Sequence, residues 1–174
     1  LIGATTRAGM LGKPLRDRFG SMHKIDFYDV EKITSILNRN TKILNLNLKD
    51  DALAEIARRS RGTPRIANRI LKRVRDYAQV TEEKVLDVKF IKKSCDKVGV
   101  DELGLEKQDV EILNTIYKVF EGGPVGLSTL AAAVGEEQDT ISEVIEPFLI
   151  MRGLIKRTPQ GRVITSKGIK HILN

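Results

Sequence analysis

The strongest constraint on this chain's fold is a twelve-residue stretch near its C-terminus. Leu154-Ile155-Lys156-Arg157-Thr158 and Arg162-Val163-Ile164-Thr165 flank Pro159-Gln160-Gly161. Two β-prone runs separated by a Pro/Gly turn read as a β-hairpin. Three helical patterns precede it. Residues 107–121 bring Ile112, Leu113, Ile116, Tyr117 and Phe120 to one face, and residues 127–134 do so with Leu127, Leu130, Ala131 and Val134. Residues 138–152 do so with Ile141, Val144, Ile145, Phe148 and Leu149, and Pro147 predicts a kink or an early end. Gly122-Gly123-Pro124 and Gly135 punctuate the run. Three helices followed by a hairpin is the order of a winged helix, a helix-turn-helix variant. A last short helix comes after the hairpin.

Upstream the rhythm differs. Apolar positions at Val30, Ile33, Ile36, Leu37, Ile43 and Leu44 predict a helix within 30–46. A second starts near Lys49-Asp50-Asp51. A third comes after Gly62, with Thr63 as its cap and Pro64 in its first turn. A fourth covers about 88–98. Four helices without strands predict a small bundle over 29–100, linked through Gly99–Gly104 to a winged-helix domain over 103–174. Before the bundle, Leu1-Ile2-Gly3-Ala4-Thr5-Thr6 reads as a short buried strand, Pro14–Phe19 as a helical turn and Ile25–Tyr28 as a second strand. A chain rarely begins inside a core strand, so residues 1–28 read as the remnant of a larger domain. The expected fold class is mainly α.

Composition narrows the class. A 41% hydrophobic content is that of a globular protein. One cysteine, Cys95, cannot close an internal disulfide and reads as a small apolar helix residue in a reducing compartment. There is no apolar run of 18 residues and no signal-peptide pattern, which points to the cytoplasm. The net charge of +7 points to a polyanionic partner, and its distribution points further. Residues 30–100 hold 17 Lys/Arg against 9 Asp/Glu, eight of the cations lying between Arg58 and Arg75. The last 24 residues carry six cations and no carboxylate. Two basic regions suit two anions, such as a nucleotide and a nucleic acid, although solvated helix faces would look the same.

Arg157 and Arg162 flank the hairpin turn, and a wing with arginines near its tip can grip phosphates or a minor groove. Arg16 and Arg18 sit on a short turn after the first predicted strand. Arg65 lies in the first turn of a helix, where its charge opposes the helix dipole, a placement that suggests a nearby anion. His23 and His171 stand in no metal-ligand spacing, and neither G-x-S-x-G nor G-x-x-x-x-G-K-[ST] occurs. A sequence-reading winged-helix regulator would need base-reading side chains on the 138–152 helix. That helix offers Gln138, Asp139, Thr140, Ser142 and Glu143, with no cation before Arg152.

Five stretches carry a resemblance: Leu1–Gly9, Pro14–Gly20, Ala57–Arg69, Gly122–Gly126 and Arg157–Arg162. In this order they resemble the RuvB family of AAA+ motors that drive Holliday-junction branch migration in recombination, repair and the SOS response. The resemblance implies the end of an AAA+ α/β core strand, then a helical AAA+ lid, then a DNA-binding winged helix. It implies that Thr6 is the sensor 1 residue and Arg18 the arginine finger, reaching a neighbouring subunit's ATP. Tyr28, Pro64 and Arg65 would contact nucleotide, with Arg65 as sensor 2, and Arg157 and Arg162 would contact DNA. The implied cofactor is ATP/ADP with Mg²⁺. The implied partners are double-stranded DNA, Holliday junctions, RuvA, the RuvC resolvase and further copies in a homohexameric ring. The sequence departs from the family in lacking both Walker motifs and the RuvA-engaging hairpin, so the chain alone is expected to hydrolyse no ATP. Another AAA+ machine, such as a clamp loader, would share the finger and the lid but not the C-terminal hairpin sequence.

Overall fold

The computed structural model describes residues 2–5 and 8–173. Their order is a 3₁₀ turn (Ala8–Met10), α1 (Lys13–Arg16), α2 (Val30–Ile43), α3 (Asp50–Arg59), α4 (Pro64–Val80), α5 (Val88–Lys97), α6 (Lys107–Lys118), α7 (Leu127–Val134), α8 (Gln138–Thr140), a π turn (Ile141–Ile145), α9 (Glu146–Met151), β1 (Ile155–Thr158), β2 (Gly161–Ile164) and α10 (Ser166–Leu173). None of these helices is long and apolar enough to cross a membrane.

Two separate cores divide the chain. The first joins α2 to α5 around Ile33, Leu37, Leu53, Ile56, Ile70, Leu71 and Ile91. Two of its helices, α2 and α5, start where the sequence supplies a side-chain acceptor. Asp29 takes the Lys32 amide and Asp87 takes the Phe90 amide, each at 2.8 Å. Thr63 stands at the predicted cap position of α4 but its side chain makes no capping bond. Pro64 supplies the fixed φ of the first turn instead. Cys95 is fully buried in α5, and burial pushes its thiol up to about 11, so it behaves as an apolar core residue.

The second core joins α6, α7, the α8–α9 segment and the hairpin around Leu105, Ile112, Leu113, Ile116, Leu130, Leu149 and Leu154. β1 and β2 pair antiparallel, with Arg157 opposite Arg162 and Thr158 opposite Gly161. Val125 adds a bridge to the outer side of β2, exchanging both backbone bonds with Arg162 at 3.0 and 2.8 Å. This close approach requires glycine. A Cβ on Gly161 would lie 2.3 Å from the Val125 carbonyl oxygen, and one on Gly123 would lie 2.3 Å from that of Arg162.

Two sequence expectations fail upstream. Residues 2–5 and 25–28 form no strand and are exposed. A strand exists only when a neighbour takes its backbone groups, and among the described residues the one sheet is the β1–β2 hairpin. Tyr28 makes a single such bond, its amide donating to the Gly62 carbonyl at 2.9 Å. Pro147 does not end its helix either. It has no N–H to give to the residue four positions back, and the chain passes through a π turn just before it.

Candidate nucleic-acid interface and nucleotide-facing residues

The wing arginines do not stand free at the hairpin tip, as their sequence positions suggested. Being cross-strand partners, they share one face of the hairpin, and both guanidiniums turn onto a single carboxylate, Glu146 at the start of α9. Arg157 donates from Nε to Glu146 Oε1 (3.0 Å) and from Nη2 to Oε2 (2.9 Å). Arg162 donates to the same two atoms at 3.2 and 2.9 Å. The carboxylate is 1% exposed, Arg162 12% and Arg157 56%. Two cations on one anion leave the group a net positive charge, and its open side is Arg157. Lys156 beside it is exposed.

Burial alone would raise the Glu146 pKa, but the hydrogen bonds from Arg157 and Arg162 outweigh it and hold the carboxyl below its ordinary value. A carboxylate with a lower pKa in the fold than in the unfolded chain stabilises fully above the unfolded value of about 4.3, and that contribution is lost as pH falls through the folded value. Melting temperature should therefore fall below about pH 4.3, and Glu146→Gln should flatten part of that fall. A thermal-melt series from pH 6 downward for both proteins, read as the difference between them, checks this.

The basic run of α3 and α4 is mostly committed to ion pairs. Arg58 and Arg59 share Glu55, at 2.6 and 3.0 Å. Arg61 reaches Asp109 of the second core at 2.5 Å and donates to the Gly104 carbonyl at 2.8 Å, while Arg69 pairs with Glu106. The Arg61 guanidinium also lies 4.2 Å from the Phe148 ring centroid, and Arg152 lies 5.5 Å from it. Arg152 in turn donates to the Leu103 carbonyl at 2.8 Å. These contacts tie the helical bundle to the winged helix directly.

Of the residues implied to face nucleotide, Thr6 lies outside the described residues. Arg18 is exposed just after α1. The Tyr28 backbone closes against Gly62, two residues before Pro64 at the start of α4, where a Cβ would meet the Tyr28 oxygen at 2.7 Å. Arg65 is exposed and makes no ion pair among the described residues. It lines a cleft of about 370 Å³ between α4 and the winged helix, together with Arg61, Arg69, Glu106 and Val144. The sequence reading missed Glu146, and it took Phe148 only as an apolar helix position and Arg61 only as one cation of the basic run. Glu146 offered a single signal, a carboxylate set within the apolar positions 145, 148 and 149.

Two family models match adjoining stretches of the chain, the RuvB AAA lid domain over residues 28–101 and the RuvB C-terminal winged helix domain over residues 102–173. The chain belongs to the RuvB family. Among solved structures it is similar to the Thermotoga maritima RuvB Holliday junction branch migration motor, with 45% identity and a TM-score of 0.91 over 98% of this chain and 57% of that one. Variants of the same Thermotoga maritima protein match alike, one at 45% identity and TM-score 0.91, another at 44% and 0.88 over 95% of this chain and 55% of that one. The chain thus spans a little over half the length of the RuvB structures it matches. Its bundle is an AAA+ lid and its second domain a RuvB winged helix.

Proposed function

We propose that this chain is the lid and DNA-gripping part of a cytoplasmic, ATP-driven motor that moves double-stranded DNA through Holliday junctions. The observation that carries the reading is the wing itself: a paired arginine face with net positive charge and one open guanidinium, next to a helix surface rich in Gln138, Asp139, Thr140 and Glu143. Arginine on a wing contacts phosphates, which position a duplex without reading its sequence. Acidic side chains on the groove-facing helix disfavour a sequence reader.

The nucleotide-facing residues fit a separate role. ATP with Mg²⁺ would supply the hydrolysable phosphoanhydride. Tyr28 and Pro64 would flank the base, and Arg65, without an ion pair among the described residues, would hold phosphate charge. Arg18 is placed on the surface, where a neighbouring copy in a homohexameric ring could receive it as an arginine finger, and Thr6 would act as sensor 1. A guanidinium offered in trans adds positive charge where the transition state spreads negative charge, worth about 10³–10⁵ in rate. RuvA and the RuvC resolvase would be the partners of the whole machine.

The 174-residue sequence contains no Walker A loop to cradle the phosphates. The purified chain should therefore release no phosphate from ATP beyond a mock preparation, and any reproducible excess would refute this. The DNA reading is tested by fluorescence anisotropy with two unrelated duplexes across a salt series. A motor's backbone grip gives equal, salt-sensitive binding to both. A strong preference for one duplex would instead mark a sequence-reading regulator.

A further inference from the structure

We propose that Glu146 is the positioning residue of the duplex grip, fixing Arg157 as the phosphate-contacting arginine and holding Arg162 as an internal strut. This inference rests on the reading of the wing as a DNA contact. The two arginines look equivalent in the sequence, symmetrically placed about the turn, yet the fold makes them unequal. Arg162 is nearly enclosed. Its Nε and Nη2 are both spent on Glu146, and its backbone is locked to Val125 on the far side of the hairpin. Arg157 makes the same two bonds to Glu146 but leaves more than half of its side chain in solvent. A planar guanidinium held by Nε and Nη2 keeps its Nη1 edge free and pointing in one direction. A long side chain that would otherwise sample many rotamers is thereby ordered before a phosphate arrives, so binding loses less entropy. Because the carboxylate is buried, it stays with the arginines and is shielded from the incoming phosphate.

Position and charge make opposite predictions for Glu146→Gln. The substitution is close to isosteric, removes one negative charge beside the DNA, and takes away an acceptor from one or both arginines. If Glu146 only offset positive charge, duplex affinity would rise. If it positions Arg157, affinity should fall about tenfold, the loss of one well-aligned hydrogen bond to a charged group. The salt slope should stay the same or steepen, because no cation has been lost. Arg157→Ala, by contrast, should lower both affinity and slope, the slope by about 0.9. Adding Glu146→Gln to Arg157→Ala should cost little more, since the residue being positioned is gone.

Anisotropy with the 174-residue chain and one duplex, at four or more salt concentrations, reads all of these. Melting temperatures taken alongside separate loss of fold from loss of grip. A Glu146→Gln protein that binds as tightly as wild type, or tighter, overturns the inference while leaving the DNA-binding reading intact. A wild type that binds no duplex overturns both. Should Glu146→Gln fail to fold, the wild type still decides. NMR signals from the Nε–H groups of Arg157 and Arg162 must persist and exchange slowly with DNA bound, and their collapse on adding DNA would mean that phosphate displaces the carboxylate.

Discussion

Replacing Arg59 with alanine should unfold the lid at a temperature at least about 12 °C lower than wild type. Arg59 is one of the few buried charges among the described residues, 3% exposed, and it serves three partners. Its Nε donates to Glu55 at 3.0 Å, and its Nη1 donates to the Val100 carbonyl at 2.9 Å and approaches Asp96 at 3.5 Å. Burial by itself would raise the Glu55 pKa, but hydrogen bonds from Arg58 and Arg59 hold it below the ordinary value, so the carboxylate is charged inside the fold. Taking away Arg59 leaves that charge half-partnered and the Val100 carbonyl without its donor. Removing one member of a buried pair costs about 3–5 kcal/mol, a large share of the total for a domain of this size. At roughly 4 °C or more per kcal/mol, this gives the shift stated above. The neighbouring Arg58→Ala is the control. Its side chain is 53% exposed and shares the same Glu55, so its loss should cost less than about 1 kcal/mol. Thermal denaturation of the two variants checks the contrast, and equal shifts would refute it.

The Arg157→Ala/Arg162→Ala double variant should lose nearly all measurable duplex affinity at physiological salt. Two effects add. The open guanidinium goes, removing a phosphate contact and about 0.9 from the salt slope. The buried Glu146 is also left without either donor, so a negative charge now faces the duplex from the base of the wing. An uncompensated buried carboxylate also loosens the hairpin against α9. Anisotropy across salt measures the first effect and the melting temperature the second. Affinity within about threefold of wild type would remove the wing from the DNA interface.

The sequence made legible whatever depends on neighbours a few residues apart. The stripes at Ile33 and Leu37 and at Ile112 through Ile116 predicted α2 and α6, and Thr63-Pro64 predicted the start of α4, because a helix closes its own hydrogen bonds. The hairpin was legible for the same reason, with Pro159-Gln160-Gly161 between two β-prone runs. Strands that need distant partners were misread, as at residues 2–5 and 25–28. The basic run from Arg58 to Arg75 looked like an anion surface, and part of the reason is that the acceptors of Arg61 and Arg69 lie far along the chain. Glu106 and Asp109 sit in the next domain, and only the fold brings them to Arg69 and Arg61. Of the candidate site, the residue types were legible and the contacts between them were not. Nothing local distinguishes Arg157 from Arg162, because the difference lies in Glu146 and in the bridge to Val125.

The π turn at Ile141–Ile145 has a consequence for how this segment can change in length. Each residue of an α-helix advances the side-chain direction by about 100°, at 3.6 residues per turn. A π turn absorbs one extra residue, so the side-chain directions of α8 and α9 are out of phase across it. Ile141 and Ile145 at the two ends of the turn and Phe148 and Leu149 beyond it all belong to the second core, and Glu146 directly after the turn meets the wing. Deleting one residue here would restore uniform phase and swing one half of the helix off its partners, and it would also bring the ring of Pro147 against a carbonyl one turn back. A substitution can be absorbed at the exposed Val144, but the number of residues between Thr140 and Pro147 is fixed by the angle it sets.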